Sequence, residues 1–338
     1  MSTIWDACMI FVDGLECSDF DRDIFLELNR GKMGCVTVTL GFWEDTIESI
    51  DALAKFRDLV RDNIDLVEIA YSAQDIRRIA QSQRCALLLG YQNTACLGGR
   101  IRMVEIFADL GVRVLQLTYN NQNDVGSSCY EEHDQGLARF GRELIDEMNR
   151  HGIVIDLSHV GERTSFDAIE RSKVPVAITH ANPSSLVPHA RNKSNDLLRA
   201  LASRGGVIGL ATYPNIAGPY VESVDRWCEM VARTVEICGI DHVGIGTDLG
   251  RKNTQAHLDW MRMGRWSRIV NYGAGSASRP GKVPEPKWLE STETFPAIPE
   301  ALSRTGFSQV EIEKIVGGNW LRLYEEVFAC RKQDAIAA

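Results

Sequence analysis

Short, uniformly apolar runs alternate along the chain with longer amphipathic segments. Each run is four to seven residues long and carries apolar side chains on both faces, which is typical of parallel strands buried on both sides. The runs predict eight strands, at Met9–Val12, Cys35–Leu40, Cys85–Leu89, Val112–Thr118, Ile153–Leu157, Pro175–Thr179, Val207–Ala211 and Val243–Thr247.

Helix-like spacing of apolar residues fills most of the intervals between these runs. Eight strands that alternate with helices predict a (β/α)8 TIM barrel, which occupies residues 1–338 as a single domain. The alternative is an open, doubly wound sheet. The predicted helices are Thr46–Arg61, Ala73–Gln81, Ile101–Leu110, Leu137–His151, Thr164–Ser172, Leu197–Ser203 and Asp225–Cys238.

Two segments after the last strand depart from this alternation. The irregular stretch at 249–299 follows strand eight, where the active-site loops of a barrel lie, and we interpret it as a lid. The alternative is an irregular surface excursion. Residues 308–328 have helical spacing and predict a C-terminal helix.

Composition restricts the class of partner and the compartment. A net charge of -9 argues against a nucleic-acid surface, and no apolar run approaches the length of a membrane span. The nine cysteines are odd in number and lack CxxC spacing, which indicates reduced thiols and a cytoplasmic protein. Composition therefore predicts neither a nucleic-acid nor a membrane partner, and the expectation of a small-molecule substrate rests on the candidate site described below.

Candidate chemistry lies at the ends of three predicted strands. His159 follows the fifth strand, His180 follows the sixth and Asp248 follows the eighth. Side chains at the carboxyl ends of barrel strands meet at one face, and two imidazoles with a carboxylate around an open position suit a catalytic zinc ion. The alternative is a pair of histidines that are satisfied within a polar pocket.

Several sequence blocks resemble the renal or membrane dipeptidase family, peptidase family M19. The block Gly152–Val160 is similar to the fifth strand of that family, and Thr179–Ser184 with Pro188–Asn192 is similar to its sixth-strand region. Val243–Asp248 is similar to its eighth strand, and Gly317–Arg322 resembles its C-terminal helix. The resemblance spans nearly the whole chain.

The resemblance implies a TIM barrel with a binuclear zinc site that cleaves dipeptides. It places metal ligands at His159 and His180, a proton-handling carboxylate at Asp248 and a substrate-carboxylate anchor at Arg191. It also implies a possible homodimer. At the family's other functional positions, this chain has different residues. The His-x-Asp motif after strand one becomes Leu15-Glu16-Cys17, the bridging Glu after strand three becomes Gln92, and the His after strand four becomes Tyr119.

These departures change the expected metal content. Leu15 cannot bind a metal, and the neutral Gln92 is a poor bridge between two cations that repel each other. Cys17 is either a thiolate ligand or a small apolar residue. We therefore expect either one zinc ion, held by His159 and His180, or none. If Asp248 binds that ion, another group must handle the proton.

The remaining candidate residues are assigned to catalysis and to substrate binding. Tyr119 can donate a hydrogen bond to a developing oxyanion, and Gln92 can hold a carbonyl group or a water. Arg191 can grip a carboxylate through two parallel hydrogen bonds, although the residues around it also suit a solvated turn. His189 is a further candidate for substrate binding. The polar loop at 120–134 can supply a ligand that the sequence does not identify.

The function that the sequence predicts best is hydrolysis of an amide or peptide-like bond in a small substrate bearing a carboxylate. Activity on ordinary dipeptides is expected to be poor, because half of the family's metal site is replaced. One alternative is a metal-free lyase or isomerase that uses Asp248, His159 and Tyr119 as acid–base groups. Another is a non-catalytic binder that keeps the Arg191 pocket.

Overall fold

Eight parallel strands close into a barrel in the computed structural model, which describes residues 9–264 and 283–334. Helices lie between successive strands, so the predicted (β/α)8 barrel is confirmed. All eight predicted strands are present, with ends that differ by a few residues. The strands are β1 Phe11–Glu16, β2 Met33–Thr39, β3 Val67–Ile69, β4 Cys85–Tyr91, β5 Val112–Gln116, β6 Val154–Asp156, β7 Ala177–Ala181, β8 Val207–Leu210 and β9 Val243–Ile245.

The order of strands around the ring follows the chain with one addition. The ring runs β1, β2, β4, β5, β6, β7, β8 and β9, and β9 pairs with β1 to close it. The three-residue β3, which the sequence pattern did not predict, pairs with the first half of β4. Within this ring β1 and β2 lie opposite β6 and β7. Residues that follow β1 and β2 are therefore on the other side of the barrel mouth from residues that follow β6 and β7.

The helices have amphipathic faces and side-chain caps that explain where several of them begin. Asp45 and Glu48 form a reciprocal capping box at α2, and Ser194 accepts a hydrogen bond from the Leu197 amide at the start of α7. The α-helices are α1 Arg22–Arg30, α2 Thr46–Asp62, α3 Ala73–Gln81, α4 Met103–Asp109, α5 Arg139–Arg150, α6 Glu162–Arg171, α7 Asn195–Ser203, α8 Pro214–Ala217, α9 Val224–Cys238, α10 Gln255–Met263, α11 Ile298–Thr305, α12 Gln309–Glu313 and α13 Asn319–Asp334.

The final helix closes the amino-terminal end of the barrel. The Trp320 indole of α13 enters the barrel interior, and its Nε1 donates to the carbonyl of Ile245 at 2.9 Å. Strand glycines leave room for this ring, since a Cβ atom added at Gly244 would lie 2.5 Å from the indole nitrogen. Because Trp320 fills the amino-terminal end of the barrel interior, a ligand cavity can form only at the carboxyl-terminal end.

The segment predicted as a lid is described only in part. Helix α10 lies within it, and short 3₁₀ turns lead from Lys287 into α11. Residues 265–282 of this segment lie outside the described residues. Among the helices that the structure describes, none is both long and apolar enough to cross a bilayer.

Candidate functional site

A cavity opens at the carboxyl ends of the strands and brings most of the predicted site residues together. Gln92, Tyr119, His159, Arg191 and Asp248 all line it. The described lining includes neither of the other two predicted residues. His180 is fully buried beside His159, and His189 is partly buried beside the cavity residue Tyr130.

The two histidines form a directly contacting pair. His159 and His180 point their Nε2 atoms at each other across 3.0 Å. The other nitrogen of each ring is also engaged: Nδ1 of His159 lies 2.7 Å from Oδ1 of Asn120, and Nδ1 of His180 lies 2.8 Å from Oγ1 of Thr179. These contacts determine which nitrogen of each ring carries the proton.

The buried carboxylate of Asp156 fixes the proton of His180. Oδ2 of Asp156 accepts the hydroxyl hydrogen of Thr179, and Oδ1 accepts that of Ser158. The Thr179 hydroxyl has then given its hydrogen away, so it accepts from Nδ1 of His180. Asn120 likewise offers an acceptor oxygen to Nδ1 of His159. In this network both rings carry their hydrogen on Nδ1, and both Nε2 atoms present lone pairs.

Burial keeps both rings neutral. It lowers the pKa of His159 and of His180 well below the ordinary value of 6.5, and the charge of Arg191 lowers both further. Two neutral rings that face each other with lone pairs repel, and a cation between them removes that repulsion. The pair is therefore suited to hold one metal ion, because zinc binds neutral imidazole nitrogens at about 2.0–2.1 Å.

The positions for a second ion do not fit one. Leu15 is apolar and buried, Gln92 donates its amide Nε2 to Oγ1 of Thr39, and burial raises the pKa of the Cys17 thiol well above 9.0. Within residues 9–264 and 283–334, no group of three or more His, Cys, Asp and Glu side chains is arranged to hold a metal ion. The donor set therefore suits one ion on two imidazoles and does not suit the family's binuclear centre.

Asp248 lies in the cavity on a strained backbone. Its φ of 62° is in the left-handed region, which non-glycine residues seldom adopt, and its amide donates to the carbonyl of Leu15. The Cys17 thiol lies 3.7 Å from Oδ1 of Asp248. Burial raises the pKa of Asp248 to about 7, although the nearby Arg191 opposes the shift. A carboxyl group with that pKa can both take and return a proton near neutral pH.

Arg191 is a buried cation whose hydrogen bonds go to carbonyl groups. It is 4% exposed, and its guanidinium donates to the backbone oxygens of Ser158 and His180. No Asp or Glu in the described ranges forms an ion pair with it. A guanidinium has five N–H donors, so these two bonds orient the group and leave others for an anionic ligand.

Tyr119 and Gln92 contribute polar atoms beside the histidines. The Tyr119 ring centroid lies 4.3 Å from that of His159, and burial raises the pKa of its phenol well above 10.0, so the hydroxyl stays protonated. The side-chain Nε2 of Gln92 donates to Oγ1 of Thr39, and its backbone N–H donates to the carbonyl of Gly41. The side-chain oxygen of this cavity residue is then left as an acceptor. A protonated phenol can donate to a developing oxyanion.

Other residues of the site could not be assigned from the sequence. Asn120, which orients His159, has a φ of 57° and lies in the polar loop at 120–134, but one Asn among several gave no reason to select it. Tyr213 lies three residues beyond the end of β8, and this position is the signal that could have placed it at the barrel mouth. The apolar residues come from the loop after β2, which carries Phe42, and from α10, which carries Leu258 and Met261, and they had no identifiable motif.

Comparison with known proteins gives a family match. Residues 31–263 match the model of the membrane dipeptidase family, peptidase family M19. The chain is 31% identical over 287 residues to the dipeptidase tcpJ of Claviceps purpurea (strain 20.1), a match that covers 84% of this chain and 60% of that protein. The chain thus spans about 60% of the length of this curated relative.

Solved structures share the same barrel. An amidohydrolase from Pseudomonas aeruginosa is 34% identical, superposes with a TM-score of 0.90 and is covered over 97% of its length, with 95% of this chain matched. A metallo peptidase from Rhodobacter sphaeroides, liganded with a phosphinate mimic of the dipeptide L-Ala-D-Ala, superposes with a TM-score of 0.77 at 15% identity. That match covers 95% of this chain and all of the other, and it shows likeness of fold alone.

Proposed function

This chain belongs to the membrane dipeptidase family, a family of hydrolases, and we propose that it hydrolyses an amide or peptide-like bond in a small substrate bearing a carboxylate. One observation carries the proposal. A single buried cavity contains a histidine of the facing pair, a carboxyl group that titrates near neutral pH and a guanidinium without an ion-pair partner in the described chain, namely His159, Asp248 and Arg191.

The substrate carboxylate is proposed to bind at Arg191. A buried cation whose hydrogen bonds within the described ranges go to carbonyl groups is costly, and an anionic ligand offsets that cost. The carbonyls of Ser158 and His180 hold the guanidinium in place before the ligand arrives, so little side-chain entropy is lost on binding. His189 supports this arrangement, because its Nδ1 accepts the backbone N–H of Arg191 at 3.1 Å.

One divalent ion is proposed at His159 and His180, with zinc as the expected metal. Such an ion supplies Lewis acidity toward a carbonyl oxygen and toward water. The chain's own contribution is orientation, because Asn120 and Thr179 hold the two Nε2 lone pairs toward a common point.

Proton transfer is proposed to fall to Asp248. Its carboxylate takes a proton from the attacking water and returns it to the leaving nitrogen, both of which require a pKa near the working pH. The Tyr119 hydroxyl, which remains protonated, donates a hydrogen bond to the oxyanion that forms at the carbonyl carbon. The side-chain oxygen of Gln92 accepts a hydrogen bond from the substrate or from the water.

A second candidate function is favoured by the absence of a three-donor metal cluster in the described residues. In this case the cavity works without metal as a lyase or isomerase. Asp248 is then the base, and Tyr119 is the proton donor to an enolate-like oxygen. Arg191 keeps its role as carboxylate anchor in both candidates.

Metal content and turnover together test the proposal. The protein is purified without chelator, its metals are measured by mass spectrometry, and release of free amino acid is followed for dipeptides and N-acyl amino acids. We expect up to one zinc ion per chain and amide cleavage that His180→Ala abolishes together with metal binding. Cleavage that persists after complete removal of metal contradicts the metal-dependent proposal and favours a metal-free reaction.

A further inference from the structure

One side of the cavity is lined mainly by apolar side chains and borders the polar residues at the strand ends. Cys17, Phe42, Trp43, Tyr119 and Met261 form a buried cluster of their own, distinct from the two clusters of the barrel core; we call it the apolar cluster. Two partly buried side chains, Leu258 and Trp260, pack against it. Four of the five members line the cavity, namely Cys17, Phe42, Tyr119 and Met261, and so does Leu258.

The apolar cluster is held in a fixed shape by hydrogen bonds between two elements. The loop after β2 carries Trp43, whose indole Nε1 donates to the carbonyl of Met261 on α10 at 3.2 Å. In return Trp260 of α10 donates from Nε1 to Oε1 of Glu44 at 2.7 Å, and Oε2 of Glu44 accepts the amide of Trp43 at 3.0 Å. The surface is thus formed before a ligand binds, which lowers the entropic cost of binding.

The aromatic side chains of the cluster pack against one another. The Phe42 ring lies 4.9 Å from the Tyr119 ring, and the Trp43 ring lies 5.5 Å from it, edge-on. Cys17 adds a small neutral group, because burial raises the pKa of its thiol. These side chains offer a ligand contact area and few hydrogen bonds, a combination that favours apolar groups.

The position of the cluster relative to Arg191 orients a ligand. Cys17 and Phe42 follow β1 and β2, whereas His159 and Arg191 follow β6 and β7 on the opposite side of the ring. A ligand whose carboxylate is bound by Arg191 therefore extends across the mouth toward the apolar cluster. The reacting bond lies between these two ends, near His159 and Asp248.

We propose that the apolar cluster is a subsite for an apolar acyl group, so that the preferred substrate carries a carboxylate at one end of its amide and an aromatic or branched aliphatic group at the other. The inference rests on the proposed amide hydrolysis for the direction of the substrate. It adds a specificity that comes from Phe42, Leu258 and Met261 and is independent of the chemistry of bond cleavage.

The test compares two ligands that share an amide and a carboxylate. N-benzoylglycine and N-acetylglycine differ only in phenyl against methyl. We expect calorimetry to give a Kd at least about tenfold lower for the benzoyl compound, since burial of a phenyl ring adds apolar area. Met261→Ser should reduce that preference several-fold, because it removes apolar contact area while the backbone carbonyl that Trp43 needs is retained.

Two further variants keep the test decisive. If Met261→Ser does not fold, Leu258→Ser probes the same surface from a partly buried position. Val310→Ser is the matched control, because Val310 is 62% exposed and lies on the protein surface. Equal affinity for the two ligands, no binding of either, or a preference that survives both cavity variants overturns the subsite.

Glycine release separates this inference from the proposed function. Preferential binding of N-benzoylglycine without release of glycine upholds the subsite and contradicts amide hydrolysis. If glycine is released from both compounds and the two compounds have the same Kd and the same KM, hydrolysis is upheld and the subsite is contradicted. Preferential binding and faster release from the benzoyl compound uphold both.

Discussion

His159 and His180 face each other through their Nε2 atoms at 3.0 Å, while each Nδ1 is already paired with an acceptor. Two neutral imidazoles in this arrangement attract a cation and repel each other without one. The acceptors that fix the ring protons are therefore as important to a metal as the rings themselves. This relationship makes the metal affinity of the chain sensitive to residues that never touch the ion.

Asn120→Gly is expected to weaken zinc binding by about 10–100-fold, the range found when the partner of a metal-binding histidine is lost. Asn120 supplies the acceptor for Nδ1 of His159, and its φ of 57° is one that glycine adopts without strain. Zinc affinity is measured by competition with a chelator. Asn121→Gly, at the adjacent position, is the control and should bind as the parent does. Equal affinity in the two variants contradicts the orienting role of Asn120.

Arg191→Ala is expected to weaken binding of N-acetylglycine by about 2–3 kcal/mol, the scale of a charge-assisted pair. The same change removes the donors to the carbonyls of Ser158 and His180, so the free energy of unfolding should also fall, by about 1–3 kcal/mol. Calorimetry gives the first quantity and urea unfolding gives the second.

Arg191→Lys separates charge from geometry. The ammonium keeps the positive charge but cannot reach two carbonyls and a carboxylate as a fork does. We expect affinity between those of the parent and the alanine variant. A folded alanine variant with parental affinity removes Arg191 from the ligand site.

The contribution of Asp248 to the stability of the metal-free protein is expected to fall as pH rises from about 4 to about 7. Burial raises the pKa of Asp248 from 3.8 to about 7, so this residue binds more protons in the folded chain than in the unfolded chain across this window. Asp248→Asn cannot ionise and should lose this dependence, leaving the variant more stable than the parent above pH 7 by about 2–4 kcal/mol.

The measurement for Asp248→Asn is urea unfolding at pH 5 and pH 8 with chelator present. Asp13, whose pKa burial raises to about 6, contributes in the same direction in both proteins, so only their difference reports Asp248. Asp19→Asn, at an exposed position, is the control. A parent and an Asp248→Asn variant with the same pH dependence show that Asp248 is not held protonated by the fold.

The sequence predicts the ring of strands because most of its strands are buried on both faces and are largely apolar. It fails at β1, which was expected to end at Val12 but continues to Glu16. The polar Asp13 suggested an end to the strand, yet its carboxylate is satisfied by the amides of Leu15 and Thr247. Such a long-range partner cannot be read from a local pattern. The strand β3 was missed because three residues show no periodicity.

The candidate site is predictable where a residue follows a strand and is not predictable elsewhere. His159 and Asp248 follow strands, so the barrel topology alone brings them to one face. The apolar cluster is different, because its members Phe42 and Met261 are 219 positions apart in the chain, one on the loop after β2 and the other on α10. Hydrogen bonds of Trp43 and Trp260 join this loop to this helix, and they form only in the folded structure.

Restoring the family's residues at Leu15, Cys17 and Gln92 is expected to create the missing metal half-site. The triple variant Leu15→His, Cys17→Asp, Gln92→Glu should bind two ions and cleave ordinary dipeptides better than the parent. Without metal it should be less stable than the parent. The new carboxylate at 17 would lie near Asp248, now 3.7 Å from the thiol, and the histidine at 15 would replace a buried apolar side chain.

Zinc should reverse that loss in the triple variant, because a bound cation screens the two carboxylates and binds the new imidazole. Metal stoichiometry and melting temperature are measured with and without zinc. Gln92→Glu alone is the matched control: it changes one ligand, keeps Oγ1 of Thr39 as a hydrogen-bonding partner and should not recruit a second ion. The triple variant also places a charge in the apolar cluster, so its preference for N-benzoylglycine should disappear. A folded triple variant with one ion and no zinc-dependent rise in melting temperature shows that the backbone around β1 has lost the ligand geometry itself.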